Sequence, residues 1–447
     1  MEAALLARAS DLVERARRAG ADAADAVATS ERSLGVSVRL GRLEDVERAE
    51  SRAFGLRVLL GRKQAVASCT EATAEAFDAL VARALAMARA APDDPCAGLA
   101  EPHLLARHND PEPLELLDPS ELDEAGLEAR ALAAEDAARA VPGVTNSGGA
   151  GASQAHLEVA LATSTGFAGS YRGSHFSLSV SVLAERDGTM QRDYDFTSAR
   201  HLADLEAAQE VGRRAGERTV RRLGAETPKT ARLPVIFEAR AARSLLGHFA
   251  QAVNGSGIAR GTSFLKDRMG EPVFATGVGI VDDPSRPRGL KSRPFDAEGI
   301  AGRRRDIVEN GVLKSWILDC ATARKLGLET TGHASRSVAS PPSPAPSNFF
   351  LAPGPVTERE LIESVSRGIY VTELIGMGVN PVTGDYSRGA SGFLIEAGEI
   401  TQPIQEFTLA GNLKDMFARL LPASNLEFRT GLDAPSCLVE GMTIAGR

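Results

Sequence analysis

The densest grouping of side chains able to do chemistry is the run GMGVNPVTGDYSRGASG at residues 376–392. Within it Asn380, Asp385, Tyr386, Ser387 and Arg388 offer donors, acceptors and charges of both signs. Its glycines permit positive φ and close backbone approach. A loop of this kind between strands suits the lining of a binding cavity. The plainer reading is a glycine-rich β-corner that satisfies its own polar side chains.

Other chemistry is thinly represented. Of the 7 histidines, only His103 and His108 stand near one another in ligand fashion, in a Pro/Asp-rich connection with no third ligand nearby. Catalytic zinc needs three protein ligands on rigid elements. His248 falls on a helical pattern and reads as a packed or surface histidine. There is no HExxH or HExxxH, no Gly-Lys-Ser/Thr and no GxSxG; the Gly255 and Gly257 pair does not extend to GxGxxG, since Arg260 takes the third place. Self-contained zincin chemistry, phosphate cradling and serine hydrolysis are therefore disfavoured. The basic residues Arg286, Arg288, Lys291, Arg293, Arg303, Arg304 and Arg305 have only Phe295 as an aromatic companion. They read as a solvated loop rim rather than a stacking platform.

The elements that must position these residues follow from periodicity. Leu5, Ala9, Leu12, Val13 and Ala16 recur at helical spacing before Gly20. Alternation at Leu34, Val36, Val38 and Leu40, then at Phe54, Leu56, Val58 and Leu60, marks two strands. Residues 75–91 and 122–140 are Ala-rich helices, 156–162 and 176–182 are strands, and 202–223 is a long amphipathic helix. The best boundary is 226–230. Beyond it glycine, proline and strand formers dominate, apart from a helix at 239–253, a capping box at Thr357 and Glu360, and a helix capped by Asn412. Strands are expected at 233–237, 368–374, 391–396, 404–409 and 436–445. The expected fold class is α+β. An N-terminal mixed region (1–225, with subregions 1–92 and 120–225) has antiparallel strands flanked by helices, and a β-rich domain fills 230–447.

Composition limits the partners. The 447 residues carry a formal charge of −8 and are 43% hydrophobic. That supports a true core and opposes broad binding to nucleic-acid phosphates. The N-terminal run has acidic residues where a secretion signal would be basic, and no run reaches a membrane span. Cys69, Cys96, Cys320 and Cys437 form no CxxC pair. The expectation is a soluble chain in the reducing cytoplasm, with no membrane or nucleic-acid partner.

The glycine-rich run at 378–392, followed by Leu394, Ile395 and Glu396 and then by LAGNLKDM at 409–416, resembles the C-terminal signature of PmbA-type members of the TldD/PmbA family. PFDAEG at 294–299, NGVL at 310–313, DCATARKLG at 319–327, TGHASR at 331–336, MTIAG at 442–446 and GLRVLLGRKQ at 55–64 extend the similarity over nearly the whole chain. The resemblance implies two related subunit types. The TldD type carries HExxxH and zinc; the TldE/PmbA type lacks the motif and pairs with it to trim unstructured peptides. The family has also been labelled a modulator of DNA gyrase. If Leu245 and Leu246 precede the motif, the two ligand positions fall on Gly247 and Ala252, and the glutamate position on His248. No metal role carries over to Cys437, which reads as a buried structural thiol.

The resemblance thus implies a non-catalytic partner subunit of a zinc metalloprotease, without metal or catalytic residues of its own and with zinc in the TldD-type partner. Its cavity-lining residues would be Asn380, Asp385, Tyr386, Ser387, Arg388, His333 and Arg336. The alternatives are a regulatory binding protein of the gyrase-modulator kind, and a homodimeric enzyme using residues such as Asp385 and Tyr386 as acid and base.

Overall fold

The computed structural model describes residues 2–107 and 112–447. His108 lies outside the described residues. Helix α1 (Glu2–Arg18) leads into a six-stranded antiparallel sheet of β1 (Ala23–Arg39), β2 (Arg42–Leu60), β3 (Lys63–Cys69), β4 (Val144–Thr163), β5 (Ala168–Arg186) and β6 (Thr189–Ala199). The strand order is β3-β2-β1-β4-β5-β6. Helices α2 (Ala74–Ala90), α3 (Glu124–Arg139) and α4 (Ala208–Arg221) complete this half.

Strand alternation divides the sheet's two faces. On β1, Ala24, Ala26 and Ala28 pack under α1 and α2, while Leu34, Val36 and Val38 pack under α3 and α4. The opposite face carries Val27, Leu161 and Phe167, which meet Phe295 of the C-terminal half. Asp25 and Arg57 lie beside this second cluster. There a loop of the C-terminal half approaches the sheet backbone so closely that a β-carbon at Gly55 would fall 2.1 Å from the Val338 carbonyl. Only glycine fits that crossing.

The C-terminal half is a curled sheet of β7 (Ala231–Phe237), β8 (Arg367–Ile375), β9 (Asp385–Glu396), β10 (Glu399–Asn412) and β11 (Cys437–Ala445). The order is β10-β9-β8-β7-β11, and β10 also pairs with β11 through Thr408–Ala410, so the sheet closes on itself. A second sheet of short strands, including Ile280–Asp282, Arg305–Glu309 and Phe349–Leu351, stands beside it. Between them runs α5 (Ala239–Ala252). Its Phe249 packs edge-on to Phe274 and Phe417 at ring-centre distances of 5.0 and 5.7 Å.

The architecture is the expected α+β class, with antiparallel strands flanked by helices ahead of a β-rich part. Several strands run longer than alternation indicates. β4 starts at Val144, and β9 starts at Asp385 instead of Ser391. The long amphipathic helix begins at Ala208; Leu202–Asp204 forms a separate short turn.

Candidate functional site

The chemistry-bearing face is the outward side of α5. Leu245, Leu246 and Phe249 anchor its inner side. Arg240, Arg243, Ser244, Gly247 and His248 recur at helical spacing on the partly exposed side. The helix has no side-chain N-cap; the Ser436 hydroxyl accepts from the Ala239 N–H at 3.0 Å instead.

Strand β9 lies alongside, and its alternation sorts the predicted residues. Tyr386 and Arg388 turn inward and are buried, while Asp385 and Ser387 are exposed. Tyr386, Ser387 and Arg388, expected on a loop, are thus strand residues. Arg388 donates from Nη1 to the Ser244 hydroxyl, and its Nε is buried without a partner. The Tyr386 hydroxyl, next to that guanidinium, is also buried, and burial raises its pKa against the pull of the Arg388 charge and its hydrogen bond. His248 stands one turn beyond Ser244, with Nε2 3.5 Å from its hydroxyl and the ring edge-on to Tyr386 at 6.1 Å. Burial, then the Arg388 charge, lowers the His248 pKa to about 4, so its imidazole is neutral at pH 7.

The loop before β9 behaves as a self-satisfied corner. Asn380 Oδ1 accepts from the N–H of Val382 at 2.9 Å, and Asp385 accepts from Thr383 and Asn412 at 2.6 and 3.0 Å. The Ser387 N–H donates to the Gly378 carbonyl at 2.7 Å, and a β-carbon at Gly378 would fall 1.8 Å from the Ser387 oxygen. Asn380, Asp385 and Ser387 therefore build the turn and stay outside the buried cluster. Asp385 and Tyr386 point to opposite sides of β9, so they do not converge as an acid–base pair.

His333 and Arg336 sit elsewhere, His333 inside the C-terminal half and Arg336 in the seam with the N-terminal sheet. His333 Nδ1 lies 2.8 Å from Thr331 Oγ1, and Nε2 lies 3.0 Å from Asp282 Oδ2 without hydrogen-bond alignment. Arg336 donates to Asp25 at 2.5 Å, and Arg57 reaches the same carboxylate at 2.9 Å. Both expected cavity residues are enclosed structural groups, because loop 331–336 turns into the molecule at this crossing. The basic run disperses as well: Arg288 pairs with Glu115 at 2.7 Å and Asp204 at 3.2 Å, and Arg286 lies over the Phe428 ring.

At the N-terminal end of α5 a cavity of about 180 Å³ opens between the two halves. Ion pairs line its wall: Arg218 with Glu238 at 2.8 Å, and Arg429 with Asp195 at 3.6 Å. Arg243 differs. Its guanidinium lies 5.7 Å from the Phe196 ring centre, and no acidic side chain pairs with it among the described residues. No motif marks Arg243 or Ser244 in the sequence; only their helical spacing from Gly247 and His248 could have done so.

The fold is that of an α+β protein with a β-rich C-terminal part, in which α5 carries the partly exposed polar face described above. Three models of the PmbA/TldA metallopeptidase family match the chain: domain 1 at residues 24–88, the central domain at 117–223 and the C-terminal domain at 230–446. The chain is 37% identical to metalloprotease PmbA of Escherichia coli O157:H7 over 430 residues, covering 95% of this chain and 93% of the relative. It is also 37% identical to a metalloprotease PmbA homolog of Haemophilus influenzae over 97% of this chain and 94% of that one. It belongs to the PmbA/TldA metallopeptidase family. Several crystal structures share its fold, two of which illustrate the match. One is a putative modulator of DNA gyrase from Bacteroides thetaiotaomicron (TM-score 0.91, 24% identity, 99% and 98% of the two chains). The other is TldE from Thermococcus kodakarensis (TM-score 0.87, 21% identity, 98% and 100%).

A metallopeptidase family raises the question of a metal. The donor set on α5 does not fit one. Gly247 offers no side chain, Ala252 is buried and apolar, and His248 faces the Arg388 cation. Among the described residues, no three His, Cys, Asp or Glu side chains are grouped to hold an ion. Burial pushes the Cys437 thiol up to about 12, which makes it an inert core group. No helix among the described residues is long and apolar enough to cross a membrane.

Proposed function

We propose that this chain is the non-catalytic subunit of a two-subunit zinc peptidase, pairing with a TldD-type chain that holds the metal and acts on unstructured peptides in the cytoplasm. The observation that carries the reading is the outward face of α5. If α5 corresponds to the zinc-bearing helix that the family resemblance implies, it has an open glycine, Gly247, at one ligand position, Ala252 at the other, and Arg388 close by. The face keeps a recognition surface and has lost the donors for metal chemistry. The peptide would lie along α5, with Tyr386 and Arg388 beneath it. The first test is zinc content. The chain purified alone should hold close to none, and the complex with a TldD-type chain about one ion per pair. Arg388→Ala in that complex should lower kcat/KM for an unstructured peptide about tenfold without dissociating the pair. Stoichiometric zinc in the isolated chain, or unchanged cleavage by the variant, would overturn the assignment.

A further inference from the structure

We infer that the cavity at the start of α5 is a receptor for a small zwitterion, a free amino acid or a dipeptide, with its carboxylate on Arg243 and its ammonium on Glu358. The inference goes beyond the proposed function and does not rest on it.

The cavity wall carries charges of both signs, and most of them are matched. Arg218 pairs with Glu238 at 2.8 Å, Arg240 with Asp193 at 2.8 Å, and Arg429 with Asp195 at 3.6 Å. Asp433 is used by its own turn, where it accepts from the N–H groups of Arg429, Thr430 and Gly431 at 3.1, 3.0 and 2.9 Å. Glu427 lies 3.9 Å from Arg429 and is mostly in solvent. One cation and one anion of the wall are left over.

The cation is Arg243, on the second turn of α5. Among the described residues it has no hydrogen bond and no ion pair, only the Phe196 ring 5.7 Å from its guanidinium carbon. Burial lowers its pKa, against the pull of Asp433 and Tyr194. None of its nitrogens is sealed from solvent, so all remain free to donate. A half-buried guanidinium without an anion has lost hydration that an arriving carboxylate replaces, through two parallel bonds. The anion is Glu358, the first residue of the short helix Glu358–Glu363. Its Oε1 accepts from the hydroxyls of Tyr370 and Ser436 at 2.7 and 2.6 Å, and both donors are neutral. No cation pairs with it among the described residues, and its Oε2 is free and unsealed. The two hydroxyls fix one oxygen and leave the other for an incoming donor.

Arg243 and Glu358 line the same cavity without pairing with each other. A ligand bearing both charges satisfies both groups. A phosphate or other plain anion would satisfy Arg243 but meet Glu358 and Asp433 as like charges. The space of about 180 Å³ holds several waters or one small molecule, and falls short of the usual volume of a drug-sized site.

L-Alanine and L-alanyl-L-alanine separate the two sources. Each would be titrated calorimetrically into the full-length chain at pH 7, beside its N-acetyl form, which lacks the ammonium, and its amide, which lacks the carboxylate. Saturable binding is expected, about tenfold or more weaker when either end is blocked; the tighter of the two free ligands names the source. Arg243→Met should erase the preference for the free acid over the amide and keep the preference for the free amine. Glu358→Gln, which retains an acceptor for Tyr370 and Ser436, should do the reverse. If one substitution erases both preferences, the cavity's shape has changed, and Arg243→Lys decides: the acid preference persists with the cation if the inference holds and is lost if it does not. No saturable binding of either free ligand, or equal binding of the blocked forms, would overturn the inference. Neither zinc content nor peptide cleavage enters these readouts, so the proposed function and this site fail separately.

Discussion

At the scale of single residues the molecule stores its charge inside. Glu298 is the sharpest case. Burial and then the Asp296 neighbour raise its pKa to about 7, against the opposing charge of Arg57. Its Oε2 accepts the Cys320 N–H at 2.8 Å, so the group is pinned whichever form it takes. The linkage sign follows. Between the unfolded carboxyl pKa of about 4.3 and the folded value, the native state binds more protons than the unfolded one. The stabilisation is complete below that window and is lost as pH rises through about 7. Glu298→Gln keeps the acceptor and removes the titration. The variant should therefore be more stable than the parent at pH 8, by on the order of 1 kcal/mol, and closely matched at pH 5. Urea midpoints at the two pH values check this, and a parent equally stable at both would contradict it. The PFDAEG run that holds this residue stood out only as a family resemblance, and its burial was not legible there: its environment comes from a carboxylate two residues away, an arginine on β2 and a helix start at Cys320.

At the scale of elements, helix α5 trades stability for an open surface. Glycine in a helix interior costs about 0.5–1 kcal/mol relative to alanine. At Gly247 no close approach demands it, since an added β-carbon meets a single methyl group at ordinary distance. Gly247→Ala should thus raise the thermal midpoint by about 1 °C, while the reconstituted complex cleaves peptide more slowly because the shelf is no longer bare. A lower midpoint would mean that glycine serves packing there after all. The helix itself was legible, because Leu245, Leu246 and Phe249 keep its period. The first half of β4 was not. Residues 144–155 hold glycines and small residues where alternation needs bulk, and Ala150 and Ala152 suffice because α3 packs closely over them. The start of β9 was hidden for a related reason. Polar residues and glycines from Asp385 to Gly389 read as loop, yet each pairs across to β10, from Asn412 back to Thr408. Local composition cannot register a partner strand that long-range pairing supplies. Hence Tyr386 and Arg388 were picked out as site residues from composition, while the alternation that separates them from Asp385 and Ser387 was visible only in the fold.

At the scale of the whole molecule the two halves meet over a buried ionic knot. Asp25 of β1 is 1% exposed and takes Arg57 from β2 and Arg336 from the C-terminal half. Burial alone would raise the Asp25 pKa; the attraction of Arg336 and Arg57 outweighs it and holds the carboxylate below its usual range. Its contribution to stability is present above the unfolded value of about 3.9 and is lost as pH falls through the lower folded value. The geometry also ranks the damage from single substitutions. Arg336→Ala leaves Asp25 paired with Arg57, so the cost should sit near the low end of the 3–5 kcal/mol typical of a broken buried pair, about 3 kcal/mol. Asp25→Ala strands two guanidinium groups at once, one from each half, and should cost more. Because the lost link joins the halves, calorimetry of Asp25→Ala should show the N-terminal and C-terminal parts melting in separate transitions where the parent shows one. Equal destabilisation by both substitutions, or a single unchanged transition in each, would show that the Phe167 and Phe295 contacts and the crossing at Gly55 hold the halves together without the charges.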